Sequence, residues 1–165
     1  MSKMKVKPML AYKVGAKPLT AQQLKSGVYV QPKLDGTRCV IQSEFAEWFD
    51  SSGKKYSGEI VKAYSRTGKE WKNITHILKK LVPFFQAYPN VVLDGELYNH
   101  GLNNDFEQII SMVRKQKPTD EDRAKAEKAI QFHVYDIIVP KGGHKETLKP
   151  GENSDMIFSE RNKFL

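Results

Sequence analysis

Lys33-Leu34-Asp35-Gly36-Thr37-Arg38 places a lysine, a carboxylate, a glycine and an arginine within six consecutive residues. It lies between two runs that read as strands, Val28 to Gln31 and Thr37 to Gln42. A lysine amine is protonated near pH 7 and becomes a nucleophile only after losing that proton. A neighbouring cation favours the neutral amine, and Arg38 is close in sequence. Asp35-Gly36 reads as a tight turn that aims the lysine, the glycine supplying a positive φ. Lys33 and Gln31 would share one strand face. The rest of the chain reads as the walls of a pocket around Lys33.

Upstream, Thr20 with Gln23 three residues on has the spacing of a capping box, and Gly27 stops that short helix. Downstream, Glu44 to Asp50 can pair with the segment beyond the turn Ser51-Ser52-Gly53. Ile60 to Ser65 is a further strand, ending at Ser65-Arg66-Thr67-Gly68. Asn73 reads as the N-cap of a helix with Ile74, Ile77, Leu78, Leu81 and Val82 on one side, and Pro83 ends or kinks it. Val91-Val92-Leu93 is a buried strand running into Asp94-Gly95-Glu96 and on through Leu97-Tyr98. Phe106, Ile109, Ile110 and Val113 follow helical spacing within Asp105 to Arg114. Thr119 to Ala129 reads as a solvated helix without chemistry. Gln131 to Val139 is the last strand, Pro140 to Asp155 a loop, and Ser159 the cap of a final helix. Strands and helices do not alternate strictly, which weighs against a doubly wound parallel sheet. The expectation is α+β, with antiparallel β-sheets flanked by helices.

The 165 residues suit one domain. The net charge of +8 favours polyanionic partners, namely nucleic acid, nucleotides or an anionic membrane. The lysines are scattered, which weighs against a dedicated basic tail. A single cysteine, Cys39, allows no internal disulfide and fits a reducing cytoplasm; it reads as a small buried strand residue. No apolar run is long enough to span a membrane, and Met1 to Pro8 lacks the apolar core of a signal peptide. His76, His100, His133 and His144 do not make a zinc pattern, and no P-loop is present.

Four signatures follow one another along the chain: Lys33 to Arg38, Ser65 to Gly68, the strand ending in Asp94-Gly95-Glu96, and Phe132-His133-Val134-Tyr135-Asp136. In that order they resemble the K-x-D-G-x-R, S-R-x-G, second-carboxylate and adenine-stacking elements of the adenylation (nucleotidyltransferase) domain of ATP-dependent DNA ligases. The small phage- or bacterial-type enzymes are the nearest in kind. Ser159-Glu160-Arg161 resembles the start of the helix that follows. The superfamily also holds RNA ligases and mRNA-capping guanylyltransferases. The resemblance runs from Pro8 to Leu165 and implies an ATP-grasp-like nucleotidyltransferase fold. Two later family motifs, E-G-x-x-x-K and K-x-K, and an oligonucleotide-binding-fold domain are not among these residues. Residues 1–165 are therefore expected to be the adenylation domain, incomplete at its C-terminus.

The resemblance implies roles for individual residues. Lys33 would be the catalytic nucleophile that becomes AMP–lysine. Gln31, Arg38, Glu96 and Tyr135 would bind the nucleotide: Gln31 at the adenine edge, Arg38 at ribose or phosphate, Glu96 at ribose hydroxyls, and Tyr135 stacked on the base. Glu96 would also be the metal ligand for Mg²⁺ or Mn²⁺. Arg66 would engage the 5′-phosphate of a nick, and Asp94 would cap or brace. The implied activity is ATP-dependent DNA ligation on nicked double-stranded DNA in replication, repair and recombination. The implied protein is a monomer, without membrane attachment, in the cytoplasm of a bacterium or phage-infected host. Two alternatives stay open on the sequence: an RNA ligase or capping guanylyltransferase, and a catalytically incomplete fragment that only binds nucleotide or DNA.

Overall fold

The computed structural model describes residues 4–6, 8, 15, 18–102, 105–139, 158–161 and 163. A long antiparallel hairpin, β1 (Thr37–Phe49) and β2 (Lys55–Tyr64), pairs from Val40 with Tyr64 to Phe49 with Lys55. Asp50 closes its turn by accepting the Ser52 and Lys54 backbone N–H groups, and Gly53 takes the positive φ that the turn needs. β3 (Val92–Tyr98) pairs with the other edge of β1, and β4 (Gln131–Ile138) with β3. The sheet order is β2-β1-β3-β4, antiparallel throughout.

Alternation divides each strand between two faces. On one face Cys39, Ile41, Leu93, Leu97 and Ile137 meet Trp71, Ile74, Ile77, Phe85, Ile109, Val113 and Ala126. These last come largely from α2 (Thr75–Ala87), α3 (Phe106–Val113) and α4 (Asp120–Ala129). Each fully buried aliphatic side chain there contributes about 1.5–3 kcal/mol. The other face is apolar at one end, where Val40, Val92 and Ile138 pack on Val6. By the same alternation Arg38, Asp94, Glu96 and Asp136 continue that face towards the opposite end. The helices thus brace the sheet from behind and leave an ionisable surface on its front.

Several expectations hold. Thr20 and Gln23 form the capping box of α1 (Ala21–Ser26), with Gly27 at its C-cap. The hairpin turn, the strand through Asp94-Gly95-Glu96, the helix around Ile109 and the strand from Gln131 are present. The helix expected from Thr119 to Ala129 is present as well, and the structure adds a capping box between Thr119 and Asp122 that the sequence reading did not single out.

Others are corrected. Val28 to Gln31 is not a strand; regular pairing begins only at Thr37, so Lys33 does not lie between two strands and shares no strand face with Gln31. Both edges of β1 are already taken by β2 and β3, which leaves the segment no ladder to join there. It passes β4 instead, where the Gln31 amide donates to the Tyr135 carbonyl at 2.8 Å. Gly36 does not adopt a positive φ. Its need is space: a Cβ there would collide with the Leu97 carbonyl across the ladder. Asn73 is not the N-cap of α2, which starts after Ile74 without a side-chain cap. Its amide donates instead to the Met112 and Asp122 carbonyls, joining the start of α2 to α3 and α4. Pro83 does not end α2; the buried Phe85 pins the following turn to the core. Ser159 lies inside α5 (Phe158–Arg161), not at its cap. The expected loop at Pro140 to Asp155 lies outside the described residues.

Candidate active site

The front of the sheet opens into a cavity of about 970 Å³. Gln31, Lys33, Arg38, Arg66, Glu96 and Tyr135 all line it, though they come from four separate parts of the chain. The segment before β1 brings Gln31 and Lys33, and β1 itself brings Arg38. The turn after β2 brings Arg66, β3 brings Glu96, and β4 brings Tyr135.

The Lys33 side chain is 90% exposed, and its ammonium lies 3.8 Å from the Asp35 carboxylate. The close cation expected from the sequence is otherwise engaged. Arg38 donates Nε and Nη2 to the two oxygens of Asp94, at 2.6 and 2.5 Å. This fork is the strong bidentate form of the ion pair. The Asp94 side chain is 1% exposed. Burial pushes its pKa up, against the pull of Arg38, whose own pKa the hydrogen bonds raise. Asp94 thereby braces Arg38, and the guanidinium carbon sits 5.6 Å from the Tyr135 ring centre.

Tyr135 enters the cavity through a register break. Asp94 pairs with Asp136 and Gly95 with Val134, so Tyr135 has no partner on β3. Strict alternation would send neighbours to opposite faces, but a bulge re-aims a side chain, and here both Tyr135 and Asp136 line the cavity. Burial, with the Glu96 charge second, lifts the Tyr135 hydroxyl to about 12. Glu96 is pushed up to about 7, chiefly by burial; Arg38 opposes the rise and Asp94 adds to it. Gly95, next to it, is required by the close approach of β4, because a Cβ would strike the His133 carbonyl.

Asp136 is held as Asp94 is. Arg161 of α5 donates to both its oxygens, at 2.9 and 2.7 Å. The same short helix sets Phe158 edge-on against Tyr29, 5.3 Å between ring centres. Among the described residues no three His, Cys, Asp or Glu side chains converge to hold a metal, and Glu96 forms no ion pair. That arrangement fits Mg²⁺, which takes one or two carboxylates and fills its shell with phosphate oxygens and water.

The model of a family described as ATP dependent DNA ligase domain matches residues 8–165. The chain belongs to this family. No curated protein and no solved structure matches it. Family membership brings ATP use and a ligase class with it. For a ligase domain the cavity also contains residues the sequence did not single out as site residues, chiefly Lys69, Trp71, Phe106, Ile110 and Arg114. Phe106, Ile110 and Arg114 are spaced i, i+4, i+8, a second stripe on α3 beside its buried Ile109 and Val113. That spacing was the available signal. Among the described residues no helix is long and apolar enough to cross a membrane.

Proposed function

We propose that this adenylation domain transfers AMP from ATP to Lys33 and onward to a nick in double-stranded DNA, which is then sealed. The observation that carries the reading is the convergence of Lys33, Arg66, Glu96 and Tyr135 on one cavity from four sequence-distant elements. In the first step the Lys33 amine, after losing a proton to solvent, attacks the α-phosphorus of ATP. An N–P bond forms, and pyrophosphate leaves with the electrons of the broken P–O bond. In the second, a 5′-phosphate oxygen displaces the lysine nitrogen, which regains a proton. In the third, a 3′-hydroxyl attacks that 5′-phosphorus, releasing AMP and a proton.

Tyr135 offers a ring to the adenine, and Gln31 stands beside its strand at the base edge. Arg38, oriented by Asp94, faces ribose and phosphate. Glu96 takes the ribose hydroxyls and would hold Mg²⁺ or Mn²⁺ together with nucleotide phosphates, the cation supplying charge neutralisation. Arg66 takes the 5′-phosphate. A monomer working in a bacterial or phage-infected cytoplasm belongs to the same proposal.

Intact mass after incubation with ATP and Mg²⁺ tests the first step. The expected result is a gain of one AMP, absent in Lys33→Ala. Preferential labelling by GTP would point instead to a capping-type guanylyltransferase. Nucleotide binding with no covalent AMP would leave a binding domain only.

A further inference from the structure

We propose that His100, His133 and Gln131 form a site for a late first-row divalent cation, Ni²⁺ or Zn²⁺, which staples the edge strand β4 to β3. The inference goes beyond the ligase reading and does not depend on it.

The histidines make no zinc pattern along the chain, yet the fold brings two of them together. The imidazole centres of His100 and His133 lie 5.3 Å apart, with the ring planes at 89°. Metal–nitrogen bonds of about 2.0–2.1 Å in a tetrahedral site put two ligating imidazole centres roughly 5.2 Å apart, whatever the twist of each ring about its own bond. Gln131 and His133 are two apart on β4 and so share a face. Gln131 Oε1 lies 3.0 Å from His133 Nε2. Two donors on one such ion are roughly 3.0–3.4 Å apart. A cation taking the place of the hydrogen now shared by these two atoms needs only the other tautomer of the neutral ring, with the proton on Nδ1.

The donors are also held in place. Asn99 fixes the turn that carries His100: its side-chain oxygen accepts from the Gly101 N–H at 2.7 Å, and its amide donates to the Ala129 carbonyl at 2.5 Å, just ahead of β4. The buried Tyr98 ring packs edge-on against both imidazoles, 5.0 Å from His100 and 5.5 Å from His133 between centres. Less ordering therefore remains to be done on binding. His100 is exposed and His133 only partly buried, so a hydrated ion can reach both. Burial, with the His100 ring second, lowers the His133 pKa, which favours the neutral imidazole that a metal requires.

Two imidazoles and a neutral amide oxygen suit Ni²⁺ and Zn²⁺ rather than Mg²⁺, the reverse of the preference of the Glu96 carboxylate. The placement gives the staple a use. β4 is the outer strand of the sheet, and it carries Tyr135 to the cavity two residues beyond His133. An ion joining His100, which follows β3, to His133 and Gln131 ties that strand down.

Calorimetric titration of the chain, without a histidine tag, with Ni²⁺ and Zn²⁺ and with Mg²⁺ for comparison, tests the site. The expected result is one Ni²⁺ or Zn²⁺ bound per chain, with His100→Ala and His133→Ala each weakening it at least tenfold. Gln131→Glu should tighten it, because a carboxylate adds charge to the donor set. At a hundredfold excess of metal over Kd, the thermal midpoint of the parent should rise by about 5–10 °C, and that of His100→Ala should not move. His100 is exposed, so its variant keeps the fold, which circular dichroism checks. Absence of saturable binding, unchanged affinity in either histidine variant, a Gln131→Glu chain that binds no tighter than the parent, or displacement by equimolar Mg²⁺ would overturn the proposal. None of these readouts involves adenylation of Lys33, so the ligase reading and the staple fail separately.

Discussion

Burial holds Glu96 at about 7, so the folded protein keeps a proton there that the unfolded chain releases from about 4.5 upward. Between those values the folded state binds more protons, and stability falls as pH rises through the interval. The burden at pH 8 is on the order of 2 kcal/mol, after allowance for solvent reaching the cavity. Glu96→Gln should therefore match the parent in thermal midpoint near pH 4 and exceed it at pH 8. A gap that does not widen across that range would refute this account of Glu96. On the proposed role of Glu96 as a ligand to the cation, the same variant should lose the proposed adenylation, because an amide serves poorly as a ligand for a hard cation. A carboxylate kept at a cost to stability is what a binding site requires.

Among the elements, β3 depends on close approach. Gly36 lies against the Leu97 carbonyl and Gly95 against that of His133, so two glycines let three segments pack at the site. Gly36→Ala and Gly95→Ala should each lower stability by about 1–3 kcal/mol, read as a fall in denaturation midpoint. Neither glycine has a positive φ, so Gly→Asn should offer no rescue. Gly68 differs: its φ of 83° makes the turn after β2 tolerant of asparagine there. The bulge at Tyr135 is the other device at this scale. It turns a strand residue into a cavity residue at the cost of one unpaired ladder position.

Across the whole molecule the cavity is assembled by long-range ties. Arg161 clasps Asp136 from a helix 25 residues away in sequence, and Gln31 reaches Tyr135 across 104. Arg161→Ala leaves the buried Asp136 carboxylate without its partner and should cost about 3–5 kcal/mol in chemical denaturation. It should also weaken ATP binding, since α5 presents Phe158 to the cavity and to Tyr29. A variant of parental stability and ATP affinity would show that α5 is not part of the frame.

Residue pattern alone determined the elements that carry strong local signals. The capping box at Thr20, the turn at Asp50 to Gly53, and the apolar periodicity of β3 and α3 could each be read from the chain. The order of the Lys33, Arg66, Glu96 and Tyr135 signatures also named the family before any fold was known. Tertiary structure decided what depends on a partner distant in sequence. Val28 to Gln31 has strand composition but no free edge of β1 to pair with. Asn73 has the look of a cap but is drawn to Met112 and Asp122. Arg38 has the look of a free donor but is forked onto Asp94. Lys33 therefore lines the cavity, but its close charged neighbour is Asp35, because packing across the sheet had already paired the arginine.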